Sequence, residues 1–359
     1  MQKKLLTNQQ KVKEAVMHHN KRGYILFLLF SILSVCTMLI TLYFSQSVSY
    51  QNLMQVLTTQ DKAKQLALSS ASIGQALLYI PKENKQSTAK AKDAHQSPKG
   101  SDHKLLEQVL PYMHETHSYS LSQNVEGMDA TLKVHLISEN GKLNINSIYD
   151  FSEKKFLHEG QEGDRKKFCQ WLFEKISKIT EKPSLFNAFE KELQNRTHDF
   201  NDVTDLLYIK EFLHTFQDHV FYNTNKADSN TIFLADIFTI SEQETINPWF
   251  LSHSWRILLD LPDTVSLSDE DQKKVLESFK KQMNWDKEWD NSLKLLYLKD
   301  YKDLPPEIKS MLTTDFEANI FSLLLQAIIG ETSSTIFTIL KANTKNELAT
   351  FDIVKVYQL

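Results

Sequence analysis

Residues 21–44 read "KRGYILFLLFSILSVCTMLITLYF". Lys21, Arg22 and Gly23 run straight into 21 residues, Tyr24 to Phe44, that carry no charge. At about 1.5 Å per residue such a run spans about 31 Å as a helix, close to the hydrocarbon thickness of a bilayer. A cleaved secretion signal has a shorter apolar core, about 7–15 residues, with a small-residue cleavage site behind it. "FSQS" (44–47) matches such a site poorly. The basic flank precedes the run and the first charge after it is Asp61. By the positive-inside rule the N-terminus stays in the cytoplasm and everything after Phe44 lies across the membrane. A buried helix of a soluble protein is the bland alternative.

The helical pattern does not stop at Phe44. Between Tyr24 and Ile80 there is no Pro, and the one Gly is Gly74. Leu53, Val56, Leu57, Ala63, Ala67, Ser70, Ile73, Leu77 and Ile80 recur at three- and four-residue steps, an amphipathic stripe that Pro81 ends. The spacing predicts one helix over 24–80, transmembrane at 24–44 and lying against a soluble domain in its second half. A separate juxtamembrane helix is the alternative.

Composition narrows the function classes. The formal charge is −4 over 359 residues. Six basic residues against Glu14 put about +5 on residues 1–23 and leave about −9 on the remainder, which disfavours nucleic acid as a partner. The two cysteines, Cys36 inside the apolar run and Cys169 far outside it, form no disulfide framework. Gly is scarce, at 8, and phosphate-cradling Gly-rich loops are missing.

Beyond the anchor, residues 82–104 ("KENKQSTAKAKDAHQSPKGSDHK") offer nothing larger than alanine for a core and predict a solvated polar loop. In "LKVHLISENGKLNINSI" (132–148), Leu132, Val134 and Leu136 alternate with Lys133 and His135 as in a half-buried strand, and Asn140-Gly141 signals a hairpin turn. Residues 151–314 read mainly as helices. Phe168, Trp171, Leu172, Ile176 and Ile179 share one face; Val203, Leu206, Leu207 and Leu213 share another after a cap-like Asn201-Asp202; Ser268 and Asp271 bracket a helix start. Residues 319–359 read as three antiparallel strands.

The candidates for chemistry are few. His114 and His117 in "HETH" could share a helix face but lack the zinc-protease spacing. "SDEDQ" (268–272) and "WDKEWD" (285–290) gather carboxylates that could hold calcium; negative charge at a helix start explains the first equally well. Cys169, among Phe168, Trp171 and Leu172, reads as a core thiol, and the Trp pairs 249/255 and 285/289 read as core. No Gly-x-Ser-x-Gly elbow is present.

A basic leader ending in Lys21-Arg22-Gly23, followed by an apolar half-helix that turns amphipathic, resembles the prepilin and pseudopilin families. The resemblance implies cleavage by a prepilin peptidase between Gly23 and Tyr24 and methylation of the new N-terminus. Such proteins mostly carry glutamate at the fifth mature position; here that position is Leu28. The missing glutamate, the size of the chain, "DKAKQLALSSASIGQALL" (61–78), the segment 132–148 and "ADIFTISEQETINP" (235–248) resemble the K-type minor pseudopilin of the type II, or general, secretion system. "FCQWLFEKI" (168–176) stands where that family carries an acidic D-W-x-D-like segment, so no cofactor is implied, with calcium the candidate left open.

What the resemblance implies is an α+β fold. A leader (1–23) precedes a long helix (24–80) packed on a pilin-like antiparallel sheet. That sheet is built from 105–150 and 315–359 and split by an inserted helical domain (151–314). It also implies a structural protein without catalysis, held single-pass in a bacterial inner membrane with its bulk periplasmic. Its partners would be the I- and J-type minor pseudopilins and the pseudopilus, at whose tip it would initiate or cap assembly. The other readings are an extracytoplasmic enzyme or binding domain on an uncleaved anchor, and a minor pilin of a related type IV pilus.

Overall fold

The computed structural model describes residues 2–78, 109–113, 116–121, 129–223, 230–262, 268–279, 283–315, 318–343 and 350–359; over 2–23, and at 111 and 269, it describes the backbone alone. Two compact units are present, Met1–Lys62 and Ala63–Leu359. The first is the bulk of α1, a helix over Gln2–Leu77. Every side chain from Tyr24 to Phe44 is exposed. The helix also takes in the leader, and it ends three residues before Ile80, which, like the polar loop at 82–104, lies outside the described residues.

In the second unit α1 buries Ala63, Ala67, Ser70 and Ala71, and Leu78, directly after its end, is buried too. The stripe expected to be covered is covered only from Ala63 onward: Leu53, Val56 and Leu57 are exposed, while Ile73 and Leu77 are half-buried. The difference is one of side-chain size. The buried face is built of alanine, serine and glycine, which let a helix come close to a sheet; the leucines and valines before it stand outside that contact.

The sheet has five strands, β1 (Thr116–Leu121), β2 (Ala130–Ser138), β7 (Ile320–Ile329), β8 (Thr332–Asn343) and β9 (Thr350–Gln358), ordered β1-β2-β7-β8-β9 and antiparallel throughout. Leu132, Val134 and Leu136 pair with Ala327, Leu325 and Leu323, and Leu323 and Leu325 pair with Thr338 and Ile336. Side chains alternate across a strand, so these residues form one apolar face. Residues 63–77 of α1 lie on it: a Cβ added at Gly74 would overlap the Leu323 side chain, and Gln75 Nε2 donates to the Phe351 carbonyl at 2.7 Å.

The opposite face meets the segment between β2 and β7. His135 stacks on Tyr222 with centroids 4.5 Å apart, and Phe337 lies 5.1 Å from Phe221. That segment holds the helices α2 (Arg165–Thr180), α3 (Phe186–Asn195), α4 (Lys210–Phe216), α5 (His253–Leu258) and α6 (Asp269–Ser278), among shorter turns of helix. The fold is α+β. Asp164 caps α2 by accepting from the amides of Lys166 and Lys167. Phe168, Leu172 and Ile176 are fully buried, and so are Trp249, Trp255 and Trp289.

Three local expectations are corrected. Asn140-Gly141 is not a hairpin turn. Residues Glu139–Gly141 form a 3-10 turn, and β3 (Leu143–Asn144) then pairs in parallel with β6 (Phe238–Thr239). Gly141 is needed because the Phe250 carbonyl lies against it, not for a positive φ. Leu213 is 45% exposed, outside the face it was assigned to. The chain is 3-10 over Val203–Tyr208 and extended at Ile209, which shifts the phase so that α4 buries Phe212 and Phe216 instead. His117 lies on β1 opposite Val134, not on a helix, and His114 is outside the described residues.

The close seat of α1 predicts that Gly74→Leu costs about 1–3 kcal/mol, the usual penalty of overpacking. Urea unfolding of the full chain in detergent measures it. Adding Leu323→Ala should recover part of the loss, because the two changes meet at one contact; simple additivity would place Gly74 elsewhere.

Candidate functional site

The site begins with the stretch that carries the resemblance. Among the described residues one helix is long and apolar enough to cross a membrane, from Tyr24 onward. Its backbone groups are bonded within the helix, as lipid requires. Its two threonine hydroxyls are satisfied the same way: Thr37 Oγ1 donates to the Leu33 carbonyl at 2.7 Å and Thr41 Oγ1 to that of Thr37 at 2.8 Å. Tyr24 and Tyr43, 67% and 71% exposed, stand at the two ends of the span, where amphipathic rings settle at the headgroups. Leu28 is exposed on this helix, and Lys21, Arg22 and Gly23 lie on its backbone directly before Tyr24. Within the span no carboxylate or ammonium group needs a partner.

The other sequence candidates are scattered and self-contained. Ser268 Oγ accepts from the Asp271 amide at 3.1 Å and donates to Asp271 Oδ2 at 2.7 Å; Asp271 also meets Lys274. This is the helix start read from the sequence, and the hydrogen bonds from Ser268 and Lys274 hold that carboxyl below its usual range. In "WDKEWD" the two indoles turn inward, and Glu288 accepts from the Asn284 amide at 2.8 Å. Among the described residues no group of three His, Cys, Asp or Glu side chains is placed to hold a metal. Cys169 is fully buried, and burial pushes its thiol far up, away from the thiolate a nucleophile needs.

An open cavity of about 590 Å³ lies between Tyr149–Ser152 and the loop Thr197–Asn201. Phe151 and Tyr149 line it, with Asp150 and Asp199 at the rim. Asp150 is already engaged, taking hydrogen bonds from Ser152 Oγ at 2.6 Å and from the amides of Ser152 and Glu153.

The long-range role of the polar groups that matter most to the architecture has no signal in the sequence. Asp202 is the cap its position predicts, accepting from the Thr204 amide at 2.8 Å. Its other oxygen takes Lys355 Nζ and, at 2.7 Å, Tyr357 Oη, which ties β9 to the helical segment. Glu139, Asn140 and Lys142 are buried beneath the same segment. A lysine and a glutamate three apart in a polar turn look like surface; what could have flagged them is their place directly after a strand whose both faces are covered.

No family model matches the chain, and no curated protein matches it. Among solved structures it is similar to a chain in the crystal structure of the GspK–GspI–GspJ complex from the enterotoxigenic Escherichia coli type 2 secretion system. Identity is 14%, coverage is 88% of this chain and 99% of that one, and the TM-score is 0.38.

Burial raises the Asp202 carboxyl, but the hydrogen bonds from Lys355, Tyr357 and Thr204 outweigh it and leave it lowered. A carboxylate lowered in the folded state adds stability above its unfolded value, about 3.9, and loses it as pH falls through the folded value. Asp202→Asn should therefore lower the urea midpoint at pH 7 and flatten its decline between about pH 5 and pH 2. Parallel midpoint-against-pH curves for the two chains would show that Asp202 holds no such bond.

Proposed function

We propose that this chain is a K-type minor pseudopilin of a type II secretion system. The observation that carries the reading is the junction at Lys21-Arg22-Gly23-Tyr24. It opens an uncharged run that lacks a carboxylate at Leu28 and continues within one helix to Leu77, where small residues seat it on an antiparallel sheet. A plain anchor requires neither the glycine at the end of a basic leader nor a helix that carries on into the sheet domain.

On this reading a prepilin peptidase removes residues 1–23 and the new N-terminus at Tyr24 is methylated. The protein sits in a bacterial inner membrane with its N-terminus cytoplasmic and everything after Phe44 on the periplasmic side. It joins the I- and J-type minor pseudopilins at the tip of the pseudopilus. Leu28 supports the tip position: a glutamate there would pair with a neighbouring amine inside lipid, and a subunit with nothing further out does not need that charge. The helical segment between β2 and β7 supports a capping role by its bulk. The function is assembly, with no cofactor required.

Co-expression with a prepilin peptidase tests this. Intact mass and N-terminal peptide analysis should find a chain that begins at methylated Tyr24, with Gly23→Ala blocking the cut. An untouched N-terminus in the presence of active peptidase sinks the reading and turns attention to a binding or enzymatic domain on an uncleaved anchor. Copurification with I- and J-type partners then separates a type II pseudopilin from a type IV minor pilin.

A further inference from the structure

The Asn140-Gly141 signal does not make a hairpin, and its surroundings give it another role. The chain leaves the sheet at Ser138 and returns at Ile320. Asn140 is fully buried at the point where the two crossings meet. Its Oδ1 accepts from the amides of Asn319 and Ile320, both at 3.2 Å, and its Nδ2 donates to Asn319 Oδ1 at 2.9 Å. Its carbonyl accepts from the Asn247 amide at 2.8 Å, and its amide donates to Ser138 Oγ at 3.2 Å. One side chain thus joins both crossings, and its backbone holds the interior of the helical segment.

A second network lies beside it. Lys142 Nζ is buried and donates to Glu139 Oε1, to the Ala235 carbonyl at 2.7 Å and to Ser322 Oγ at 3.5 Å. It stands 5.5 Å from the centre of the Phe337 ring. Glu139 Oε2 accepts from Thr239 Oγ1 at 2.6 Å. This network therefore touches β7, β8, the turn and the helical segment at once. Buried polar groups keep their bonds only in one arrangement, because any rotation leaves a charge or an amide unpaired out of water.

We infer that residues 138–142 with 319–322 are a rigid coupling, not a hinge, that fixes the orientation of the helical segment on the sheet. A two-crossing connection would ordinarily let an inserted body swing. Here both crossings are pinned to each other and to both bodies, and residues 63–359 form one compact unit. A displacement given to the sheet reaches the helical segment without being absorbed between them. In a filament subunit this would carry movement of the shaft to whatever the segment meets, but the coupling itself does not depend on processing after Gly23.

Paired spin labels on the full chain in detergent test it. One goes at Tyr208→Cys in the segment and one at Val354→Cys on β9, both exposed, in a Cys36→Ser background; Cys169 is buried. The distance distribution should be narrow, and Asn140→Ala should broaden or split it. The five tryptophans all lie between β2 and β7, so their fluorescence reports that segment alone. Its urea transition should coincide with loss of amide protection in β7, and in Asn140→Ala it should move to lower urea ahead of β7. If Asn140→Ala fails to fold, Asn319→Ala, which keeps Asn140 Oδ1 and its two amide donors, should give the same effects in weaker form. An unchanged narrow distribution with coincident transitions in a folded variant overturns the inference, as does a broad distribution in the unaltered chain.

Discussion

The fold depends on how closely one helix can approach one sheet. Ala63, Ala67, Ser70, Ala71 and Gly74 hold no side chain beyond a hydroxymethyl group, so the α1 backbone comes down onto Leu323. The fully buried large apolar side chains of that sheet face come from the strands, Leu132, Val134, Leu136, Leu323 and Leu325, while Leu66, Ile73 and Leu77 of α1 are only partly buried against the core. The division of labour is forced by geometry. A helix with leucines at those positions would stand off by about the length of a side chain and leave the sheet face half wet. The same helix is large and apolar over Tyr24–Phe44, where every side chain is exposed. Side-chain size along α1 therefore marks where it meets protein and where it is suited to lipid.

This division was half legible in the sequence. The uncharged run, the basic flank and the absence of Pro gave the helix, and β-branched and leucine alternation gave β2. The three C-terminal strands followed from the same alternation. What periodicity could not give was the extent of cover. Leu53 and Leu57 fit the stripe as well as Ala67 does, yet they are exposed and Ala67 is buried. Apolar spacing says which side of a helix is greasy; it does not say which partner is within reach.

The misread turn has a different cause. Asn-Gly favours a tight reversal when both residues take positive φ, and neither does here. The local preference was overridden by four long-range hydrogen bonds to Asn140, one to a residue 107 positions away and three to residues 179 or 180 away. A single sequence carries no trace of such partners. The phase slip at Ile209, which exposes Leu213 and buries Phe216, is of the same kind: one extended residue between a 3-10 turn and α4 undoes a face that spacing alone supports.

Buried and half-buried carboxylates hold segments of the fold against one another. Asp164 is spent on helix amides, Asp271 on Ser268 and Lys274, Asp150 on its own turn, and Asp202 on Lys355, Tyr357 and Thr204. Glu139 is spent on Lys142 and Thr239. Each of these bonds fixes one segment against another, and the cumulative effect is a body with few internal degrees of freedom. Polar groups committed to shape also explain how the helical segment is held against the sheet without a disulfide, Cys36 lying in the apolar run and Cys169 being buried as a free thiol.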